Sequence, residues 1–215
     1  MSDYIKTTGI VIKRTNYKDA DKILTVLTQE LGKISCKAKG IRKITSKKRS
    51  HLEPGSIATI YLIKTYDRYL ITQANSIYNI KLSETDYDVT LYLYSILEIT
   101  DKLIPNDDPN PINFRLLKKA LELFNQTPTK GLVLGYLIKL MKINGFYTKS
   151  EFIDFYEQMN LKNPELMKKI FFLEDSTFDD IVIKEKEYFE KTDQPILKYL
   201  KEKTDLFIKS YGIIE

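Results

Sequence analysis

Hydrophobic and polar residues follow two different patterns along this chain, and the pattern changes near residue 80. Before that point, short stretches rich in β-branched and aromatic residues alternate between apolar and polar positions, which is typical of strands with one buried face. Turn residues separate these stretches: Gly32 can adopt the positive φ of a tight hairpin, and Pro54 with Gly55 ends the longest connection. The predicted strands are Ile5–Lys13, Lys22–Gln29, Lys33–Lys39, Ser56–Lys64 and Arg68–Ile77.

Five short strands in one small domain favour a closed barrel, because an open sheet would leave two unpaired edges exposed. The commonest barrel of this size is the oligonucleotide/oligosaccharide-binding (OB) fold, which binds nucleic acid across one face, between projecting loops. We therefore expect residues 1–80 to form an OB-type domain that binds nucleic acid.

After residue 80 the apolar positions recur at helical spacing. The stretch Asp86–Ile104 shows this pattern, with Ser83 or Thr85 available as its N-cap, and three prolines in residues 105–111 end it. The fold class is thus α+β, with a five-stranded OB-type barrel followed by an all-α helical domain at residues 81–215. Residues 173–193 fit neither pattern clearly. The other predicted helices are Ile112–Asn125, Thr129–Ile143, Ser150–Met159, Pro164–Phe172 and Gln194–Ser210.

The charge distribution singles out one segment of the predicted barrel. Residues 33–49 carry eight basic residues and no acidic one. Residues 1–80 contain 15 Lys and Arg against 6 Asp and Glu, whereas residues 81–215 contain 19 against 23. Cations without neutralising carboxylates, on a strand and the loop after it, suit a polyphosphate backbone better than a small substrate. The eight are Lys33, Lys37, Lys39, Arg42, Lys43, Lys47, Lys48 and Arg49.

A solvated lysine-rich loop is the alternative explanation of this run, but the concentration of positive charge in the first third of the chain favours nucleic-acid binding. Arg14, at the end of the first strand, is expected to join the cluster on one barrel face. Tyr17 and Tyr66 are candidate platforms for stacking unpaired bases. Tyr61 and Tyr69 are further candidates, and for every one of these tyrosines core packing or cover of a strand edge is the alternative.

No arrangement of residues in the sequence indicates an enzyme. The only histidine, His51, lies next to the basic run, where a surface or phosphate-adjacent position is favoured over a catalytic one. The chain lacks the glycine-rich loop of nucleotide-binding sites, and Asp19 and Asp21 are best explained as turn residues. The single cysteine, Cys36, excludes a disulfide framework and a multi-cysteine zinc site, and it is expected to be a small packed strand residue.

The distribution of apolar residues also bears on where the protein acts. No stretch approaches the roughly 18 consecutive apolar residues of a membrane span, and the first residues do not resemble a secretory signal. These observations predict a cytoplasmic protein that binds no membrane. No motif in the sequence indicates a cofactor, and binding to nucleic acid would associate the protein with the nucleoid.

Short segments that cover almost all of the first 80 residues carry a resemblance to a known family. They are Gly9–Ile12, Tyr17–Leu24, Thr28–Lys33, Ala38–Lys43, Ser46, Leu52–Pro54 and Gln73-Ala74. In their order and spacing they resemble the opening of the RecO family of bacterial recombination mediators and DNA-repair proteins. Further on, Tyr136–Phe146 is similar to the helix that precedes the zinc-binding segment of that family, and Leu197–Ile213 is similar to its closing helix.

One departure from the family concerns this zinc-binding segment. Many members carry four cysteines there, whereas this chain has none after Cys36. We therefore predict no bound metal. Residues 147–183 are expected to be held together by apolar contacts instead. The residues expected to make these contacts are Phe152, Phe155, Leu166, Ile170, Phe171 and Phe172.

The resemblance implies a function without hydrolysis. Members of the family bind single- and double-stranded DNA, anneal complementary strands, and together with RecR help to load the RecA recombinase. Their helical domain can bind the acidic, apolar C-terminal tail of single-strand binding protein, which requires an apolar floor and a basic side chain for the terminal carboxylate. Arg115, Lys139 and Lys142 are candidates for that contact here, with solvated helix cations as the alternative.

Two other functions fit the residues. The barrel could be a protein-interaction adaptor whose basic loop binds acidic tails of partners, or it could bind RNA, since OB barrels accept either nucleic acid. The dependence of binding on salt distinguishes the adaptor from a DNA-binding protein. Competition between matched DNA and RNA oligomers separates the two nucleic acids.

Overall fold

The computed structural model describes residues 4–66, 68–80, 86–161, 163–184, 186–206 and 208–209. Its N-terminal part is a closed barrel with strand order β1-β2-β3-β5-β4, and α-helices follow it along the chain. The predicted α+β class, with an OB-type barrel before a helical domain, is therefore confirmed. The strands are β1 (Tyr4–Tyr17), β2 (Asp21–Thr28), β3 (Gly32–Ala38), β4 (Ile57–Lys64) and β5 (Tyr69–Tyr78).

Strand β1 is long enough to pair with both of its neighbours in the barrel. Residues 4–10 pair antiparallel with β4, and residues 9–17 pair antiparallel with β2. A shift in register between Val11 and Lys13 marks a bulge, which bends the strand around the barrel. The strand therefore runs past Lys13, where the sequence predicts its end, and Arg14 lies within it.

The barrel closes between β3 and β5 through a short parallel ladder. Cys36 lies opposite Tyr69 in this ladder, and Lys37 lies opposite Leu70. Cys36 is fully buried, which confirms its predicted role as a packed strand residue, and burial raises the pKa of its thiol to about 12. Apolar side chains from all five strands and from the loop after β3 fill the interior. They include Val11, Leu24, Val26, Ile34, Ile41, Leu52, Ile60, Leu62 and Ile71.

The turn between β2 and β3 needs a glycine for two reasons. Gly32 has a φ of +71°, a left-handed conformation that other residues disfavour. A Cβ atom at this position would also lie 2.4 Å from the backbone carbonyl oxygen of Asp108. The next residue, Lys33, accepts a 2.9 Å hydrogen bond from the N–H of Asp107 through its carbonyl. The proline-rich segment is thus fastened to the barrel, and Ile104–Lys118 belongs to the same compact unit as the strands.

Local capping explains the beginnings of three helices. Thr129, Thr148 and Asn163 each accept, through a side-chain oxygen, a hydrogen bond from the backbone N–H three residues later. The helices are α1 (Tyr87–Leu103), α2 (Pro111–Phe124), α3 (Lys130–Ile143), α4 (Lys149–Gln158), α5 (Pro164–Asp175), α6 (Phe178–Val182) and α7 (Asp193–Thr204).

The last helix is shorter than the sequence predicts. The expected helix, Gln194–Ser210, ends at Thr204, because Asp205 takes a left-handed φ of 54° and donates its N–H to the carbonyl of Lys201. The same expectation reaches Ser210, which lies outside the described residues.

Two further expectations concern helix positions. Ser83 and Thr85, the predicted N-caps of α1, lie outside the described residues, and Asp86 accepts a 3.0 Å hydrogen bond from the N–H of Val89 at the start of that helix. Residues 173–193, which fit no pattern in the sequence, contain the end of α5, the short helix α6 and a 3-10 helix.

Aromatic packing holds together the segment at residues 147–183, for which apolar contacts are predicted in place of a metal. Phe152, Phe155 and Ile170 are buried, as predicted. The ring of Tyr199, from α7, lies 5.0 Å from that of Phe152, a contact that the sequence did not reveal. The chain has one cysteine, and no three His, Cys, Asp or Glu side chains converge within the described residues, so the segment does not fit the family's zinc site. The rest of the residues predicted to make apolar contacts are only half-buried: Leu166, Phe171 and Phe172.

Contacts divide the chain into two compact units. The first contains the barrel and Ile104–Lys118, and the second contains α1 and the residues from Lys119 onward. The predicted domain limits, 1–80 and 81–215, stay a prediction. None of the helices in the described part of the chain is long and apolar enough to cross a membrane.

Candidate nucleic-acid interface

The basic loop, residues 39–56 between β3 and β4, is folded into successive turns. Lys43 donates its N–H to the carbonyl of Gly40 at 3.1 Å, and Ser46 donates to the carbonyl of Lys43 at 3.0 Å. A one-turn 3-10 helix, Arg49–His51, follows. The backbone thus satisfies part of its own hydrogen bonding and holds a dense row of cations in a fixed order.

A cleft of about 550 Å³ separates this loop from the outer surface of β5. We call it the basic cleft. Four lysines line it, together with polar side chains of β5, and no carboxylate is among the described residues that line it. The charged and polar side chains are Lys39, Lys43, Thr45, Ser46, Lys47, Lys48, His51, Thr72, Gln73 and Asn75.

Three of the four lysines are exposed. Within the described residues, no carboxylate forms an ion pair with Lys39, Lys43 or Lys47. The fourth, Lys48, is half-buried and donates a 3.2 Å hydrogen bond to the carbonyl of Ile71 on β5. Burial lowers the pKa of its ammonium. Lys48 therefore braces the loop against β5, and the other three leave their charge on the surface.

One edge of the loop is tied to the turn between β1 and β2. The carboxylate of Asp21 accepts a 2.8 Å hydrogen bond from the N–H of Gly40 and forms a 3.2 Å ion pair with Lys37. These contacts, the backbone hydrogen bond first, lower the pKa of Asp21. The ammonium of Lys37 also lies 4.8 Å from the centre of the Tyr17 ring. Lys37 and Tyr17 are thus engaged with each other, and a base that stacks on this face of the ring would have to displace the ammonium of Lys37.

Two further predicted cations have different surroundings. Arg42 is exposed, but its N–H donates to the carbonyl of Ala20 at 3.0 Å and its guanidinium donates to that of Lys18 at 3.4 Å. Arg49 lines a neighbouring cleft that also contains Glu53. Neither lines the basic cleft, so each would extend the positive surface beyond it.

Three more predicted residues lie outside the cleft, as do Tyr17, Lys37, Arg42 and Arg49. Arg14 pairs with Glu53 and donates to the carbonyl of Leu52 at 3.2 Å, which leaves its side chain 16% exposed. Lys33 is 5% exposed, so its ammonium has little surface to offer a phosphate. Tyr66 is fully exposed in the connection between β4 and β5 and does not line the basic cleft.

Sequence reasoning missed the contribution of β5 to the cleft. The ladder with β4 shifts register here, because Tyr61 pairs with Gln73 whereas the next residue of β4 pairs with Ile71. Thr72 is the extra residue, so it and Gln73 both face outward. The alternation of apolar and polar residues breaks at Thr72 and Gln73, between Ile71 and Ala74, and this break is the signal that could have indicated the bulge.

The candidate partner-binding lysines of the helical domain are engaged within it. The ammonium of Lys139 donates to three carbonyls near the end of α5, those of Leu173, Glu174 and Ser176, at 3.0, 2.9 and 2.6 Å. Burial and the nearby charge of Lys142 lower the pKa of Lys139. All three ammonium protons of Lys139 are therefore in use, and the residue caps the end of α5. It is neither a cation available to a partner nor a solvated helix cation.

The other two candidates are more accessible. Lys142 is 55% exposed and forms a 2.7 Å ion pair with Glu174, whose second oxygen accepts a 3.0 Å hydrogen bond from Tyr147. Arg115, on the part of α2 that belongs to the first unit, is exposed. Of the three, Lys142 and Arg115 keep surface for a partner.

The comparisons with known proteins agree along most of the chain. The family model of the N-terminal part of recombination protein O matches residues 1–80, and the model of its C-terminal part matches residues 84–151. DNA repair protein RecO of Caldicellulosiruptor bescii is 30% identical over 174 residues, which are 80% of this chain and 68% of that protein.

Other relatives carry the same name, DNA repair protein RecO. DNA repair protein RecO of Bacillus pumilus is 29% identical over 142 residues, or 66% of this chain and 56% of that protein. That of Cutibacterium acnes is 30% identical over 147 residues, or 64% and 59%. The chain thus spans between 56% and 68% of the length of these three relatives. Two adjoining family models and a relative of this identity and coverage place the chain in the RecO family.

Proposed function

We propose that this chain is a recombination mediator that binds single- and double-stranded DNA in its basic cleft, anneals complementary strands and helps to load a recombinase. The observation that carries the proposal is the cleft itself, with Lys39, Lys43 and Lys47 exposed beside the polar side chains of β5. The relatives support it, because they are named DNA repair proteins and the RecO family consists of recombination mediators rather than enzymes.

The composition of the cleft suits a nucleic-acid backbone. Lysines bind phosphates as point charges and release the counterions condensed on the strand, which gives affinity without regard to sequence. The amides of Gln73 and Asn75 add donors that can reach phosphate or sugar oxygens, whereas the hydroxyl of Thr72 already donates to the carbonyl of Tyr61 at 3.1 Å. A strand held mainly by its backbone leaves its bases free to pair, and cations beside it reduce the repulsion of a second strand. Both effects favour annealing.

We also propose that the helical domain contributes contacts to other repair proteins. The family implies binding to RecR and to the C-terminal tail of single-strand binding protein. Lys142 or Arg115, both accessible, would receive the terminal carboxylate of that tail, whereas Lys139 is already saturated by three carbonyls. An alanine variant of each that leaves affinity for a tail peptide unchanged would exclude that residue.

The experiment that tests the proposed function is a fluorescence-anisotropy titration of a short labelled DNA strand at several salt concentrations, followed by addition of the complementary strand. We expect binding that weakens steeply with salt and annealing faster than in the absence of protein. Binding without faster annealing would leave a DNA-binding protein that is no mediator. An absence of binding at moderate salt would favour a protein adaptor, and preference for a matched RNA strand would favour an RNA-binding protein.

A further inference from the structure

The single histidine of the chain lies at the floor of the basic cleft. His51 ends the 3-10 helix of the basic loop and lines the cleft together with the lysines. Its backbone is held in the turn, because its N–H donates to the carbonyl of Lys48 at 3.2 Å. The imidazole is therefore carried by an ordered turn.

Contacts with β5 determine which ring nitrogen carries the proton. The backbone N–H of Ser76 points at Nδ1 of His51 with a nitrogen–nitrogen distance of 3.3 Å. A backbone N–H can only donate, so Nδ1 must accept, and in the neutral ring the proton then sits on Nε2. The hydroxyl of Ser76, 3.0 Å from Nδ1, can donate to the same lone pair. Protonation of Nδ1 would oppose two N–H groups and lose this hydrogen bond.

Nε2 is left without a hydrogen-bond partner among the described residues. We infer that Nε2–H of His51 is an oriented, uncharged donor to a phosphate oxygen of DNA bound in the basic cleft, an inference that rests on the proposed function. The lysines would attract the strand, and His51 would fix where one phosphate sits. A hydrogen bond to a charged acceptor typically changes affinity by about tenfold or more.

A neutral donor has a signature that separates it from the lysines. Each cation that neutralises a phosphate of a single strand contributes about −0.7 to the slope of log affinity against log salt. A neutral imidazole displaces no counterion, so it contributes affinity but nothing to this slope. The two kinds of contact in one cleft can thus be told apart by one titration.

The experiment combines nuclear magnetic resonance with two variants of the full chain. Because there is one histidine, a long-range proton–nitrogen spectrum contains one imidazole. We expect the tautomer protonated at Nε2, and a shift of the Nε2 resonance when a short oligothymidylate is added. His51→Ala should bind this oligomer about tenfold more weakly at an unchanged salt slope. His51→Gln, whose amide can donate from a similar position, should recover part of the loss.

Lys43→Gln is the matched control, since it should flatten the slope by about 0.7. A proton on Nδ1 in the wild-type spectrum overturns the inference, and this result does not depend on whether a variant folds. Unchanged affinity of folded His51→Ala overturns it too, as does a flatter slope, which would mean a charged ring. If the wild-type chain binds no DNA at any salt, the proposed function fails and the inference falls with it. In the other unfavourable outcomes the wild type still binds, so the two failures are distinguishable.

Discussion

The exposed lysines of the basic cleft allow a quantitative test of the proposed DNA-binding site. We consider the triple variant Lys39→Gln, Lys43→Gln and Lys47→Gln, which removes three charges and retains polar side chains of similar length. All three lysines lie in turns on the surface, and none forms an ion pair with a carboxylate in the described residues. The substitutions should therefore leave the barrel folded.

The expected change follows from the number of phosphates that these lysines neutralise. At about 0.7 per phosphate on a single strand, loss of three contacts should flatten the slope of log affinity against log salt by about 2. Over a fourfold rise in salt, a slope change of 2 corresponds to about a 16-fold difference in how much affinity is lost. Lys48 is left unchanged, because it braces the loop against β5 and its removal would confuse charge with structure.

A second triple variant controls for overall charge. Lys6→Gln, Lys13→Gln and Lys64→Gln also remove three charges from exposed positions of the barrel strands, and none of these lysines lines the basic cleft. Both triples would be measured by anisotropy with the same labelled strand at four or more salt concentrations. Equal flattening in the two would refute the cleft as the site, since general electrostatic attraction would then explain the binding. A steep slope retained in the cleft triple would refute it directly.

Three further predictions concern the fold that supports the site. Gly32→Ala should lower the free energy of unfolding by about 3 kcal/mol, because of its left-handed φ and the overlap with Asp108. The control Gly40→Ala, at a φ of +65° with no other atom closer than 3.8 Å, should cost about 1 kcal/mol in the same urea titration. Lys139→Met should cost about 2 kcal/mol, since it removes the cap of α5; an unchanged urea midpoint would refute that role. Burial raises the pKa of Cys36 to about 12, so its thiol should stay protonated and unreactive towards a disulfide reagent at pH 8 until the protein unfolds; rapid labelling of the native protein would contradict this.

The strands and most helices could be predicted from the sequence because their signals are local. Alternation of β-branched and polar residues marked all five strands, and the prolines of residues 105–111 separated two helices correctly. The early end of α7 could not be predicted, since the left-handed φ of Asp205 is not encoded by a glycine. Helices and strands were thus predictable where the periodicity of apolar residues agrees with the positions of proline and glycine. The end of a helix was not predictable where a residue other than glycine takes a left-handed φ.

The candidate site was predictable only in part, because burial depends on contacts between distant segments. The run of cations was visible, and three of its five exposed members, Lys39, Lys43 and Lys47, do gather in one cleft. Lys33 has the same character in the sequence, but it lies in a barrel strand beside segment Ile104–Lys118 and is buried. Lys139 is likewise indistinguishable from a surface lysine until the end of α5 is placed against it. The bulge at Thr72 is set by pairing with β4, and the sequence shows it only as a break in alternation at Thr72 and Gln73.

Binding of DNA in the basic cleft would have a second consequence at the short ladder that closes the barrel. Two residue pairs join β3 to β5, compared with eight between β1 and β2. The basic cleft lies across this seam, since Lys39 directly follows β3 and Thr72 belongs to β5. A DNA strand bound to both β3 and β5 would stabilise this ladder, because separating β3 from β5 would require the DNA to dissociate. The amide hydrogens that join β3 to β5 should then exchange with solvent more slowly as the DNA concentration rises, so exchange at the seam would report occupancy of the cleft.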